Sequence, residues 1–198
     1  MKHEPTVFVV DDDPAVRRFL HGLISSVNLR VELFDSAHSF LDGHVPETPG
    51  CLLLDIRMPG MSGLELQKEL ATRKIDLPIV FLTGHGDVQI AVSAMKAGAY
   101  DFVEKPFNNE LLLDVLQKAV VEGLTAERSR SEKAEIDQRV ALLTQRELEV
   151  MKMVVAGETN KGIARQLGIS ERTVENHRGK VMSKTQARSL AQLVKMLS

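Results

Sequence analysis

Residues 51–55, CLLLD, and residues 6–12, TVFVVDD, decide how this chain folds: each is a short apolar run closed by aspartate. A strand covered on both faces is continuously apolar rather than alternating, so both runs read as buried strands of a parallel sheet. As neighbours they would bring Asp11, Asp12 and Asp55 to one sheet edge. Two later runs, PIVFLT (78–83) and YDFVEK (100–105), end in Thr83 and Lys105 and add a hydroxyl and a cation there. Open parallel sheets bind ligands outside the carboxyl ends of their strands. Singly, each of these residues is an ordinary polar strand end; together, at successive strand ends, they read as a site.

The chemistry of that set is specific. Carboxylates are the hard oxygen ligands that Mg²⁺ prefers, and a carboxylate beside the ion can itself accept a phosphoryl group. Asp55, the lone acid closing the central run, is the nucleophile; Asp11 and Asp12 are placed as ligands. Lys105 and the metal would neutralise the transferring group, which is most of what phosphoryl transfer asks of a protein. Asp13, followed by Pro14, reads instead as a helix cap.

Working outward, short apolar runs alternate with helix-length amphipathic segments. Strands are expected near Val7–Val10, Arg30–Phe34, Cys51–Leu54, Ile79–Leu82 and Asp101–Glu104, with helices between them. Those helices start at Pro14 (through Val27), Ser62, Asp87 and Asn108. From Gly123 to Gln138, GLTAERSRSEKAEIDQ is polar and free of proline, a linker that reads as a solvated helix. Beyond it only helical patterns remain. Thr144 and Glu147 form a capping box, Asn160 is the expected cap of a helix stopped by Gly168, and Ser170 caps one from Glu171 to about Lys184. Arg188 to Leu197 is the last of four.

With 198 residues the chain can form one large domain or two small ones, and its charge favours two. Residues 1–123 hold 11 Lys and Arg against 18 Asp and Glu, whereas residues 139–198 hold 11 against 5, which hides behind a net charge of −2. The basic part is the candidate for nucleic acid. No apolar stretch reaches the roughly 20 residues of a membrane span, and MKHEPTVFVVDDD lacks the apolar core of a signal peptide, so no membrane partner and a cytoplasmic location are expected. Cys51, the single cysteine, reads as a core thiol.

In NKGIARQLGISERTVENHRGKVMSK, Ala164, Gly168 and Val174 have the spacing of a helix-turn-helix: a small residue for close approach, glycine for the turn, a branched residue to lock the second helix. A bundle that merely packs is the plainer alternative. Val174 and Val181 face inward, leaving Arg172, Glu175, Asn176, Gly179 and Lys180 for a major groove. Asn176 suits adenine, Glu175 cytosine, and Lys180 guanine or phosphate. Thr173, Arg178, Lys161 and Lys184 are expected on phosphates, which position without specifying. His177 reads as a satisfied core histidine before a DNA contact.

The segments VVDDDP, LLLDIRMPGMSGLEL, PIVFLTGHGD and MKAGAYDFVEKPF resemble the receiver domain of two-component response regulators. LTQRELEV through LAQLVKM resembles a LuxR/NarL-type output domain, and the domain order resembles the FixJ subfamily. The resemblance implies an α/β plus all-α chain: a flavodoxin-like, doubly wound five-stranded receiver (1–122), a helical linker (123–138) and a four-helix DNA-binding domain (139–198). It implies phosphorylation of Asp55 by a histidine kinase. It also implies Mg²⁺ held by Asp12, Asp55 and the carbonyl of Arg57 with Asp11 acting through water, and phosphoryl oxygens held by Thr83 and Lys105. Phe102 matches the family's aromatic switch, and Lys105-Pro106 its cis peptide. Expected partners are promoter DNA, a second copy on phosphorylation, and RNA polymerase. Two departures stand out: Gly162 where such domains often carry a larger residue, and an acid, Glu175, on the reading face. The chain is expected not to be an enzyme; a phosphatase and a phosphorylation-independent DNA binder are the rival readings.

Overall fold

The computed structural model describes residues 4–44, 48–84 and 88–197; the expected helix start at Asp87 lies outside them. Five strands, β1 (Thr6–Val10), β2 (Arg30–Phe34), β3 (Gly50–Asp55), β4 (Ile79–Thr83) and β5 (Asp101–Glu104), alternate with α1 (Pro14–Ser25), α2 (Ala37–Gly43), α3 (Gly63–Thr72), α4 (Val88–Lys96) and α5 (Asn109–Ala141). The sheet is parallel throughout in the order β2-β1-β3-β4-β5. The direction of winding therefore reverses between β1 and β3, the place where such sheets open a crevice for ligands.

Why these runs are unbroken is visible in the two layers. Phe8, Val10, Leu52, Leu54 and Phe81 pack against Phe40, Leu66, Leu70 and Ala94, from α2, α3 and α4. Their neighbours Val7, Val9, Cys51, Leu53, Val80 and Leu82 pack on the other face with Leu20 and Ile24 of α1 and Leu112, Leu116 and Ala119 of α5. Each central strand is buried at every residue, so alternation of side chains between faces leaves no polar position except at the strand ends, Thr6, Asp55 and Thr83. The edge strand β5 is only partly covered, and Phe102 is 43% exposed on it. Burial pushes the Cys51 thiol up to about 12, as suits a core residue.

Local signals set the helix starts. Asp13 accepts from the Ala15 amide ahead of Pro14, Ser62 and Glu65 form a capping box, and Asn108 accepts from the amides of Glu110 and Leu111. Helix α1 stops at Ser25, short of Val27, where Asn28 turns to positive φ. Helix α5 continues without a break through the polar segment 123–138. Its Gly123 is buried against the start of β3, where a Cβ would collide with the carbonyl oxygen of Gly50.

The chain divides into compact units at residues 1–128 and 129–198. The second contains α6 (Gln145–Val155), α7 (Asn160–Leu167), α8 (Glu171–Thr185) and α9 (Leu190–Leu197) around Val150, Met151, Val154, Ile163, Ala164, Val174, Val181, Ala187 and Leu193. Val140 and Leu143, which close α5 and follow it, pack on this core. One expected cap shifts: Thr159, not Asn160, accepts from the Gly162 amide, and Asn160 is the first helical residue. Both residue types can cap, and the hydroxyl one residue earlier takes the role. Gly168 ends α7 in the left-handed region at φ 66°, a conformation only glycine adopts without strain.

The fit of α5 on β3 predicts that Gly123→Ala lowers the unfolding free energy of the 1–128 unit by about 1–3 kcal/mol, the usual cost of overpacking. Urea unfolding followed by circular dichroism checks this, and an unchanged midpoint would refute the contact.

Candidate functional site

The register of the sheet builds the first site. Val10 pairs with Leu54, so the next residues, Asp11 and Asp55, stand side by side. Asp55 in turn pairs with Leu82, one step before Thr83, and Thr83 pairs with Glu104, one step before Lys105. Lys105 Nζ lies 2.9 Å from Asp11 Oδ2 and 2.6 Å from Asp55 Oδ1, joining both carboxylates. The other carboxylate oxygens are taken by backbone: the Asp13 amide donates to Asp11 Oδ1 and the Arg57 amide to Asp55 Oδ2, each at 2.9 Å. Thr83 is buried, and its hydroxyl lies 3.5 Å from the carbonyl of Val103. The Lys105-Pro106 bond is cis.

Electrostatics suit a nucleophile. Burial raises the pKa of Asp55 and the charge of Asp11 adds to this, while the hydrogen bond and charge of Lys105 oppose it. A carboxylate stripped of water is the stronger nucleophile, provided that a cation keeps it ionised. Burial alone would lower Lys105, but its bonds to Asp55 and Asp11 outweigh that, and its pKa is raised, so the cation persists.

Asp11, Asp55, Thr83 and Lys105 come together as expected from the strand ends. Asp12 is exposed, and no three acidic, histidine or cysteine residues are grouped to hold a metal among the described residues. The Lys105 ammonium is the counter-charge between Asp11 and Asp55. By donor chemistry the residues still fit Mg²⁺: carboxylates and a backbone carbonyl are the hard oxygens that it takes. Arg17 escaped the sequence reading; its Nη1 donates to the Asp11 carbonyl at 2.6 Å, and nothing in an α1 arginine's spacing signals this.

The second site is the outer face of α8. Val174 and Val181 are buried, while Arg172, Glu175, Asn176, Gly179 and Lys180 are exposed, as is Lys161 on α7. Thr173 is half-buried and shares a hydrogen bond with Ser170, the α8 cap. Two expected phosphate contacts point elsewhere. Arg178 is half-buried and donates to Asn160 at 2.7 Å, and Lys184 donates to Glu147 at 2.6 Å. His177 is half-buried with its Nδ1 enclosed and without a hydrogen-bond partner, which corrects the expectation of a satisfied core histidine.

Glu147 is nearly inaccessible. It closes the α6 capping box with Thr144 and ties α6 to the end of α8 through Lys184. The Lys184 hydrogen bond, then those of Thr144, bring its pKa down to about 2.

Comparison with known proteins finds a family for each of the two units. The family described as response regulator receiver domain matches residues 7–117, and that described as bacterial regulatory proteins, luxR family, matches residues 141–197. The chain is 48% identical over 192 residues to the transcriptional regulatory protein FixJ of Azorhizobium caulinodans, covering 96% of this chain and 90% of that one. It is 47% identical to nodulation protein W of Bradyrhizobium diazoefficiens, covering 96% and 84%. Among solved structures, the response regulator StyR superposes with a TM-score of 0.87 at 46% identity, covering 98% of each chain. Full-length FixJ from B. japonicum gives 0.59 at 43%, covering 98% and 96%.

A depressed carboxyl pKa contributes stability above the unfolded value and loses it as pH falls toward the folded one. Glu147 thus stabilises its domain above about 4.5, an effect lost between there and about 2. Glu147→Gln is expected to lower the melting temperature at pH 7 and to flatten its acid fall in that window. Thermal melts from pH 7 to 2 measure this; parallel curves for the two proteins would refute it.

Proposed function

Because this chain belongs to the response regulators of two-component systems and carries a LuxR-type regulatory domain, we propose that Asp55 accepts a phosphoryl group from a histidine kinase and that this promotes DNA binding through α8. As a member of that family it is a transcription regulator. The observation that carries the proposal is the pair of contacts from Lys105 to Asp11 and Asp55, which holds the nucleophile beside a permanent cation.

In the transfer, an Asp55 oxygen attacks phosphorus, the P–N bond of the donor phosphohistidine breaks, and the departing imidazole takes up a proton. Lys105 moves from the Asp55 carboxylate to a phosphoryl oxygen, and the Thr83 hydroxyl, weakly held by Val103, donates to another. Asp12, Asp55, the Arg57 carbonyl and Asp11 would hold Mg²⁺, which would supply further charge neutralisation. Turnover of free substrates is no part of this role; phosphotransfer and dephosphorylation are confined to Asp55.

As Thr83 turns toward the phosphoryl group it leaves space beside β4, which Phe102 enters from the exposed edge strand. This reshapes the face carrying Val92, Met95 and Phe102, all now exposed apolar residues, and favours a second copy there. The receiver at 1–122, the linker at 123–138 and the output domain at 139–198 are the units of this switch. Promoter DNA meets Arg172, Glu175, Asn176, Gly179 and Lys180, with Lys161 and Thr173 on phosphates. RNA polymerase is the further partner, and the cytoplasm the location; no described helix is long and apolar enough to cross a membrane.

Incubation with acetyl phosphate and Mg²⁺ is expected to label the chain, with labelling lost in Asp55→Asn and on chelation of the metal. The labelled chain should double in mass in solution and bind promoter DNA about a hundredfold more tightly, as two linked copies on adjacent half-sites would. Equal mass and affinity before and after labelling would defeat the switch.

A further inference from the structure

One acid, Glu175, stands on the face of α8 among Arg172, Asn176, Gly179 and Lys180, and it is exposed. A carboxylate facing a groove lined by phosphates is repelled unless a base donates to it. Glu175 also has a neighbour on another helix. Arg178, three residues on, sends Nη1 to Asn160 Oδ1 at 2.7 Å, and Asn160 Nδ2 lies 3.5 Å from Glu175 Oε1. The first contact determines the second: with its oxygen held by the guanidinium, the amide must turn its NH₂ the other way, toward Glu175. Asn160 opens α7, so the arrangement ties the first helix of the helix-turn-helix to the reading helix.

The length of the second contact matters. At 3.5 Å it orients the carboxylate by dipole and charge while leaving its acceptor capacity almost unused. The major-groove edge of guanine offers acceptors at O6 and N7, and thymine offers O4, all of which repel a carboxylate. Adenine places an N7 acceptor beside its amine. Cytosine alone presents an N4 amine and no acceptor on its own major-groove edge.

We propose that Glu175 determines specificity by accepting a hydrogen bond from the N4 amine of cytosine, and that Asn160, held by Arg178, is its positioning residue. The inference rests on the reading that α8 enters a major groove, and it makes Arg178 part of the apparatus that aims Glu175 rather than a phosphate contact.

The test is enrichment of randomised DNA duplexes by the full chain after treatment with acetyl phosphate and Mg²⁺, with sequencing of the bound fraction. The wild-type protein should require cytosine at one position in each half-site. Glu175→Gln, nearly isosteric and on the surface, should move that column to adenine, which glutamine reads through N6 and N7. Glu175→Ala should erase it. Asn160→Ala should lower the preference at the same column by about tenfold, while a thermal melt and the remaining columns stay as in the wild type. Unchanged columns in both Glu175 variants, with DNA still bound, would overturn the role of Glu175. An unchanged column in Asn160→Ala alone would overturn the positioning role. A wild-type chain that enriches no sequence would instead overturn the DNA-binding reading on which the inference stands.

Discussion

One cation joins the two carboxylates of a partly buried crevice: Lys105 lies 2.9 Å from Asp11 and 2.6 Å from Asp55. Much of the first unit arranges this contact. Parallel pairing of β1 with β3 brings the acids level, and the order β3-β4-β5 carries the lysine to the same edge from two strands away. Such a cluster is a poor source of stability, since desolvation of three charged groups offsets their attraction. Removing or redirecting any one of these charges changes the balance for the others.

The second unit repeats the principle with different parts. Glu147 satisfies the orphaned amides at the start of α6 and engages Lys184 near the end of α8, so that one carboxylate serves both helix capping and helix packing. Val174 and Val181 lock the inner face of α8 while its outer face stays polar. The two units also differ in charge, with acids in excess in the first and bases in the second.

The strands β1, β3 and β4 were readable because burial on both faces leaves an unbroken apolar run, and their terminal residues identified the crevice without any contact being known. Capping residues were nearly as clear. Asp13, Ser62, Thr144 and Ser170 act as expected, and the one shift, from Asn160 to Thr159, is between adjacent residues that both can cap. Long basic side chains were the weak point. Helical periodicity gives the direction of a Cα–Cβ bond, but a lysine or arginine can bend several ångströms from it; Arg178 and Lys184 turn to partners on other helices. Spacing likewise cannot say that Lys105 would stand between the acids.

By itself the sequence determined the strands, most of the helix caps, the crevice acids and the inner face of α8, since these follow from local periodicity and capping chemistry. Tertiary structure alone decided that Lys105 bridges Asp11 and Asp55, that Arg17 holds the Asp11 carbonyl, that Gly123 meets the backbone of Gly50, and that Asn160 stands between Arg178 and Glu175. Each of these joins residues on different elements, and the reach and direction of flexible side chains across such gaps are set by packing rather than by spacing along the chain.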